Sequence, residues 1–271
     1  VFNLAEGRTG RFREAFYPAL FEQLGLTHTG SDAGALALAM DKSLTKKVLL
    51  GTGVVTPRSI MVRDPRAVAP LVGGRLAVDY PVIVKPNYEG SSKGITQRSV
   101  VERADELIDV VADSLRRYPD GVLVEEYIDG IDAAVAWVDG LSPETGGILA
   151  PAAYRYRKTG RHRIYDLGLK IGRELVETEV PANLDRVTIA QLADMSKRVF
   201  AELGLSGYAR ADFRVTSAGR VYFLEANPLP DLAHDSELYQ AARLIDATPK
   251  DVLACIINQA ARLLRSSDRP P

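Results

Sequence analysis

Three oxygen-bearing side chains, Asp212, Glu225 and Asn227, fall on one stretch, GYARADFRVTSAGRVYFLEAN at 207–227, whose pattern reads as a hairpin. Residues 208–215 and 220–226 alternate apolar and polar side chains, with Ser217-Ala218-Gly219 as the turn between them. Glu225 and Asn227 stand two apart on a strand, so both leave the same face. With Asp212 opposite, two carboxylates and an amide oxygen converge, a hard-oxygen set suited to Mg²⁺ shared with substrate phosphates. A solvated hairpin face carries the same residue types, so the rest of the chain has to decide.

Other groups could meet such phosphates. A short strand at 80–86 ends in Lys85 and runs into Asn87-Tyr-Glu-Gly-Ser-Ser-Lys-Gly94. Its small residues leave backbone N–H groups free to wrap phosphate oxygens, and Lys85 and Lys93 add charge. The loop is not GxxxxGK[ST], and a plain hairpin connection has the same composition. The strand GVLVEEYI at 121–128 acquires two glutamates at its end. There a carboxylate and adjacent backbone can read adenine and ribose; a strand end entering solvent looks alike. Residues 155–173 interleave Arg155, Arg157, Lys158, Arg161, His162, Arg163, Lys170 and Arg173 with Tyr156 and Tyr165. A mobile loop over an anionic substrate, a solvated loop and an RNA-contacting arm all fit this composition. His162, with no second His or Cys nearby in sequence, reads as a surface residue.

The elements that must position these groups follow an α/β pattern. Residues 1–4 read as a short buried strand, followed by a glycine loop and a helix from 11 to about 24. Residues 33–50 read as one long alanine-rich helix and 54–62 as a strand interrupted by Pro57. An amphipathic helix spans 99–118, with Ala104, Leu107, Val111 and Leu115 on its core face. A second spans 184–203 with Leu192, Met195, Val199 and Leu203 inward. After a proline-stiffened loop at 228–236, residues 237–264 are helical with a break near Thr248-Pro249.

At 271 residues the chain exceeds the size of one core and divides into subdomains. An apolar fraction of 46% and a net charge of −1 describe a soluble globular protein and argue against a nucleic-acid partner. Cys255 is the only cysteine, which excludes an internal disulfide and agrees with a cytoplasmic setting. No apolar run is long enough to span a membrane.

Four motifs in order, TGSDAGALALAMDKSLTKK, PVIVKPNYEGSSKGI, VLVEEYIDGID, and GYARADF followed by FLEANPLP, give the chain its resemblance to the ATP-grasp ligases. Among them it resembles the D-alanine–D-alanine ligase group, from Phe2 to about Ser236. The resemblance implies an α/β fold of α+β subdomains with ATP held between two of them. Residues 1–41 would be the remnant of an N-terminal substrate-binding lobe, 42–123 the central subdomain and 124–271 the C-terminal one with the metal site. It implies Lys42 and Lys85 on the phosphates, Glu89, Gly90, Ser91 and Ser92 as a closing flap, Glu125 and the Ile128 backbone at adenine, and Asp132 at the ribose. Asp212, Glu225 and Asn227 match the Mg²⁺ ligands, expected as two ions with Mn²⁺ as an option. Arg210 matches the arginine facing the transferring phosphoryl group, Lys170 a lysine that closes over ATP, and Ser236 a serine that holds the second substrate's carboxylate.

The implied chemistry is amide formation between amino-acid-like substrates through an acyl phosphate, with release of ADP and phosphate. A homodimer is compatible with it. A nucleotide-binding module with a regulatory role is the alternative, and phosphorylation of a hydroxy or guanidino compound a third reading. The chain departs from the group at Asp231, where a glycine is usual, at Glu237, where an apolar residue is usual, and in its basic loop at Leu167 or Ile171. These departures point away from two D-alanines as the substrates.

Overall fold

The computed structural model describes residues 1–68, 78–157, 160–165, 168 and 176–267, with side chains to 262. Two antiparallel sheets organise them. The smaller runs in the order β1-β4-β2-β3, with β1 Ser59–Val62, β2 Val82–Pro86, β3 Val100–Val101 and β4 Val122–Glu126. The larger runs β7-β6-β5-β8-β9, with β5 Ile131–Val138, β6 Ala152–Tyr156, β7 Val176–Glu179, β8 Tyr208–Val215 and β9 Val221–Asn227.

Each sheet is backed by a helix whose apolar stripe matches its inner face. Helix α4, Ala104–Arg117, lays Leu107, Val111 and Leu115 on Val82, Val84, Val122 and Val124 of the smaller sheet. Helix α5, Arg186–Glu202, starts at Asp185, whose carboxylate accepts from the Val187 and Thr188 amides. It packs Leu192, Met195 and Val199 against Ala209, Ala211 and Phe213 of β8. Each such side chain taken from water contributes about 1.5–3 kcal/mol. The odd residues of β8 being spent on this core, the even ones, Arg210, Asp212 and Arg214, share the opposite face.

On β9 the alternation shifts once. Asp212 pairs with Glu225 but Phe213 pairs with Phe223, leaving Leu224 as an extra residue in a bulge. A strictly alternating strand would put Glu225 on the same side as Val221 and Phe223, both in the core. The bulge turns it onto the face of Asp212. Beyond it, Ala226 returns to the core and Asn227 to the side of Glu225.

Several expectations change. Residues 1–4 form no strand: Val1 and Leu4 are exposed, Asn3 is buried, and the segment hydrogen-bonds to Thr27 and Thr29. The first helix, α1, covers Arg13–Gln23. The expected long helix is two, α2 Ala33–Met40 and α3 Lys42–Val48, because Asp41 leaves helical geometry at φ −87°, ψ 90° and caps α3 through the Leu44 amide. The helix expected from 99 begins at Ala104, because β-branched Val100 and Val101 pair with Ile83 and Val82 as β3. The smaller sheet includes β4 to Glu126, so the two sheets part at 127–130 and not at 123. Ala35, Ala39, Leu49 and Val54 pack in the core of the larger sheet, which places α2 and α3 with that sheet. Helices α6 Glu237–Arg243 and α7 Pro249–Ser267 flank the break expected near Thr248. No described helix is long and apolar enough to cross a membrane.

Candidate active site

A cleft of about 390 Å³ lies between the sheets. One end is apolar, lined by Ile83, Ile95, Ile128, Ile164 and Val176, and the other is charged, with Arg210, Asp212 and Glu225. Of the residues singled out in the sequence, Lys85, Ser92, Glu125, Ile128, Asp132, Arg210, Asp212, Glu225 and Ser236 line it.

The charged end is built on the hairpin. Asp212 and Glu225 face each other across β8 and β9. Arg210, two residues before Asp212, donates Nε to Oδ1 at 2.7 Å and Nη2 to Oδ2 at 2.8 Å, while its Nη1 reaches Glu237 at 2.8 Å. Burial pushes the Asp212 carboxyl up against the pull of Arg210, with Glu225 and Glu237 adding to the rise. Glu225 behaves oppositely: burial would raise it, but the ammonium groups of Lys42 and Lys85 hold it at about 2. Lys42 lies 3.0 Å from Glu225 and donates to the Glu89 carbonyl at 2.5 Å. Asn227 accepts from the Leu229 amide at 3.0 Å, with its side chain on the face of Glu225. Among the described residues no three His, Cys, Asp or Glu side chains gather to hold a metal unaided. Two carboxylates and an amide oxygen with room for ligand phosphates fit Mg²⁺, which takes few protein ligands and keeps the rest of its shell for substrate and water.

Behind the charged end sits a buried ion triad. Glu125, 1% exposed, takes Lys85 on Oε1 at 2.6 Å and Lys46 on Oε2 at 2.9 Å. The sequence reading sends Glu125 to adenine; in the structure its carboxylate is the counter-ion of two lysines. Burial lowers Lys46 to about 8 even with Glu125 beside it. Removing one member of such a triad leaves a buried charge uncompensated, at a cost of about 3–5 kcal/mol. The sequence gives Lys46, which lies inside the motif ending at Lys47, no role by itself, though it stands one helical turn from Lys42, the signal that could have found it.

The loop expected as a flap starts at Asn87, whose side chain bonds Asp41 and the Ser43 amide and so ties the loop to the start of α3. Ser91 and Ser92 both take φ of 57°, a region costly for residues with a Cβ. Ser92 reaches the cleft, whereas Glu89 turns to Arg13 at 3.4 Å, and Arg13 also donates to the Tyr88 carbonyl. Lys93 is exposed, 4.0 Å from Glu89.

At the apolar end Asp132 is held by Arg214 at 2.6 Å and by the Tyr156 hydroxyl. Arg214 also donates to the Ile128 carbonyl at 3.0 Å. The sequence reading missed Arg214, which its i+2, i+4 relation to Arg210 and Asp212 could have shown. Part of the basic loop crosses here: Arg161 and His162 pair with Glu102, and the Arg163 carbonyl accepts from Tyr127. His162, expected at the surface, is 13% exposed and packs edge-on against Tyr127. Lys158, Lys170, Arg173, Leu167 and Ile171 lie outside the described residues.

Comparison with known proteins gives a consistent result. A family model described as "D-ala D-ala ligase C-terminus" matches residues 71–258. A D-alanine–D-alanine ligase of Pseudomonas fluorescens is 32% identical over 243 residues, covering 90% of this chain and 69% of that protein. One of Syntrophotalea carbinolica is 34% identical over 253 residues, covering 93% and 76%. Among solved structures, the D-alanine–D-alanine ligase of Coxiella burnetii superposes with a TM-score of 0.78 at 22% identity, covering 98% of this chain and 69% of that one. The VanG D-Ala:D-Ser ligase of Enterococcus faecalis superposes at 0.79 and 22% identity, covering 96% and 72%.

Proposed function

Because the chain belongs to the D-alanine–D-alanine ligase family of ATP-grasp enzymes, we propose that its inter-sheet cleft is the site where ATP activates one amino acid for attack by the amine of another. The enzyme is a ligase that uses ATP and Mg²⁺ to form an amide bond between amino-acid substrates. A regulatory module without ligase activity is not favoured. The reading of the site rests on one observation: Asp212 and Glu225 oppose each other across the hairpin, with Lys42 on Glu225 and Lys85 in the same cleft.

In this reading Asp212, Glu225 and Asn227 hold two Mg²⁺ ions, with Mn²⁺ able to replace them. The bound metal supplies charge neutralisation for the transferring phosphoryl group. Lys42 and Lys85 face the phosphates, and residues 89–92 fold over them. The apolar end takes adenine near Ile128, and Asp132 meets the ribose. Arg210 faces the phosphoryl group, Lys170 closes over ATP, and Ser236 holds the second substrate. The first substrate's carboxylate attacks the γ-phosphate to give an acyl phosphate, and the amine then displaces phosphate. Such transfer needs positioning and charge more than a protein nucleophile, which agrees with a site made of lysines, an arginine and carboxylates. In this scheme the smaller sheet with α4 forms one wall and the larger sheet with α2, α3 and α5 the other, and the residues before α2 belong to the substrate lobe. A homodimer is part of the proposal, with the exposed Phe16 and Leu20 of α1 and Leu24 just after it as its support and sedimentation at two concentrations as its check.

The test is phosphate release from ATP across a panel of carboxylate–amine pairs. Asp212→Ala and Glu225→Ala are each expected to lower kcat by about 10²-fold or more. ADP formation that ignores both substitutions would remove the assignment.

A further inference from the structure

Ile83 and Lys85 of β2 face the inter-sheet cleft, so Val84 between them faces the other way, where it lines a second cavity of about 200 Å³. One wall of this cavity is α4: Val110, Asp113, Ser114 and Arg117 line it at i, i+3, i+4 and i+7, the spacing of a single helix face. The segment 94–99 forms the other wall, held by the Ser99 hydroxyl, which accepts from the Thr96 amide at 3.0 Å and donates to the Gly94 carbonyl at 3.3 Å. Ser114 supplies an independent sign of a ligand. A buried helical serine can return its hydroxyl to the carbonyl four residues earlier, as Ser196 does to Leu192 at 2.7 Å. The Ser114 hydroxyl makes no such bond and has no partner, although the residue is only 4% exposed. A buried hydroxyl in this condition is completed by what enters the cavity. The space exceeds the roughly 10–15 Å³ that one bridging water needs, and a cavity of about 150 Å³ takes a benzene-sized molecule.

The polar groups on these walls are donors. Arg98 lines the cavity and forms no ion pair with a described residue. Asp113, the carboxylate among the described lining residues, is taken by Arg116 at 2.7 Å and by Arg117. Thr96 accepts from the Ser99 amide, which leaves its hydroxyl proton available. We propose that this cavity is a second ligand site, one that takes a small carboxylate on a short apolar stem and reports its occupancy to the loop carrying Ser91 and Ser92. The carboxylate meets the Arg98 guanidinium and the Ser114 and Thr96 hydroxyls, a charge-assisted set, and the stem rests on Val84 and Val110. The link to the loop is covalent and short, since segment 94–99 continues directly from it, and an occupant that fixes the segment lowers the cost of ordering the loop. This effect on ATP rests on the reading of residues 89–92 as a closing flap; the binding does not.

The experiment titrates the enzyme calorimetrically with 3-methylbutanoate, its amide, 3-methylbutylamine and inorganic phosphate, with and without Mg²⁺ and a non-hydrolysable ATP analogue in the inter-sheet cleft. The carboxylate is expected to bind at least about tenfold more tightly than the other three probes, and Arg98→Gln to weaken it by about tenfold or more. Val110→Phe, which fills the cavity, is expected to abolish binding. Ser114→Ala, a change that suits a helix and so does not depend on the larger variant folding, is expected to weaken it severalfold. Failure of the carboxylate to bind overturns the inference, as does binding that ignores Arg98→Gln and Ser114→Ala, which places the acid elsewhere. Equal binding of inorganic phosphate overturns the assigned ligand class. In phosphate release, saturating 3-methylbutanoate is expected to lower the KM for ATP by about fivefold or more. An unchanged KM removes the coupling to the loop. Absence of any phosphate release removes the ligase reading, while Arg98-dependent binding still sustains the site.

Discussion

Glu225 and Asp212 face one another, yet their environments push their carboxyl groups in opposite directions. Lys42 at 3.0 Å and the charge of Lys85 hold Glu225 at about 2 against an ordinary value of 4.5, while Asp212 is raised by burial. The consequence is a stability contribution with a defined pH window. Above pH 4.5 Glu225 is ionised in both folded and unfolded chains and its contribution is fully present. As pH falls from 4.5 to about 2, the unfolded chain binds a proton that the folded chain refuses, and the contribution is lost. A shift of this size amounts to no more than about 3 kcal/mol, reduced because solvent reaches the 31% of the side chain that is exposed. In metal-free protein, Glu225→Gln should flatten urea-unfolding stability between pH 4.5 and 2. A slope equal to the parent's across that window would contradict the assignment to Glu225.

At the scale of elements, the break between α2 and α3 aims Lys42 at the cleft. Asp41 caps α3 through Leu44 and accepts from the Asn87 side chain at 2.8 Å and the Tyr88 hydroxyl at 3.1 Å. One residue therefore joins the lysine-bearing helix to the loop expected over the phosphates. Loss of a cap costs about 1 kcal/mol, and each buried partner left unmet adds about 1–3 kcal/mol. Asp41→Ala is expected to lower unfolding stability by about 2–4 kcal/mol and to raise the KM for ATP more than it lowers kcat. A variant with parental denaturation midpoint and parental KM would show that the network positions nothing. The bulge at Leu224 works at the same scale, since without it Glu225 would share the core side of Phe223.

At the scale of the molecule, the site exists only because two separately cored sheets present facing walls. Lys85, Ser92 and Glu125 come from the smaller sheet and its loop, and Arg210, Asp212 and Glu225 from the larger. A ligand bridging both walls ties their stabilities together. ATP with Mg²⁺ at a hundredfold excess over Kd should stabilise the fold by about 2.7 kcal/mol, seen as a Tm rise of roughly 5–10 °C. Chelation of the metal is expected to reverse most of it. A Tm indifferent to ATP and Mg²⁺ together would place the nucleotide elsewhere.

Residue type and local spacing were enough to determine much of this protein. Alternation marked β8 and β9, the three- and four-residue stripes marked α4 and α5, and the ordered motifs around Lys42, Lys85, Glu125 and Asp212 carried the family resemblance, because each signal is local in the chain. Tertiary structure alone decided where charges were neutralised. Glu125 became the counter-ion of Lys46 and Lys85, and Asp132 that of Arg214, pairings set by contacts across the fold that no short spacing encodes. The same holds for the segments misread as a strand at 1–4 and as one helix at 33–50. The first has no sheet partner among the described residues, and the second breaks where Asp41 finds Asn87 and Tyr88, residues 46 and 47 positions further along the chain.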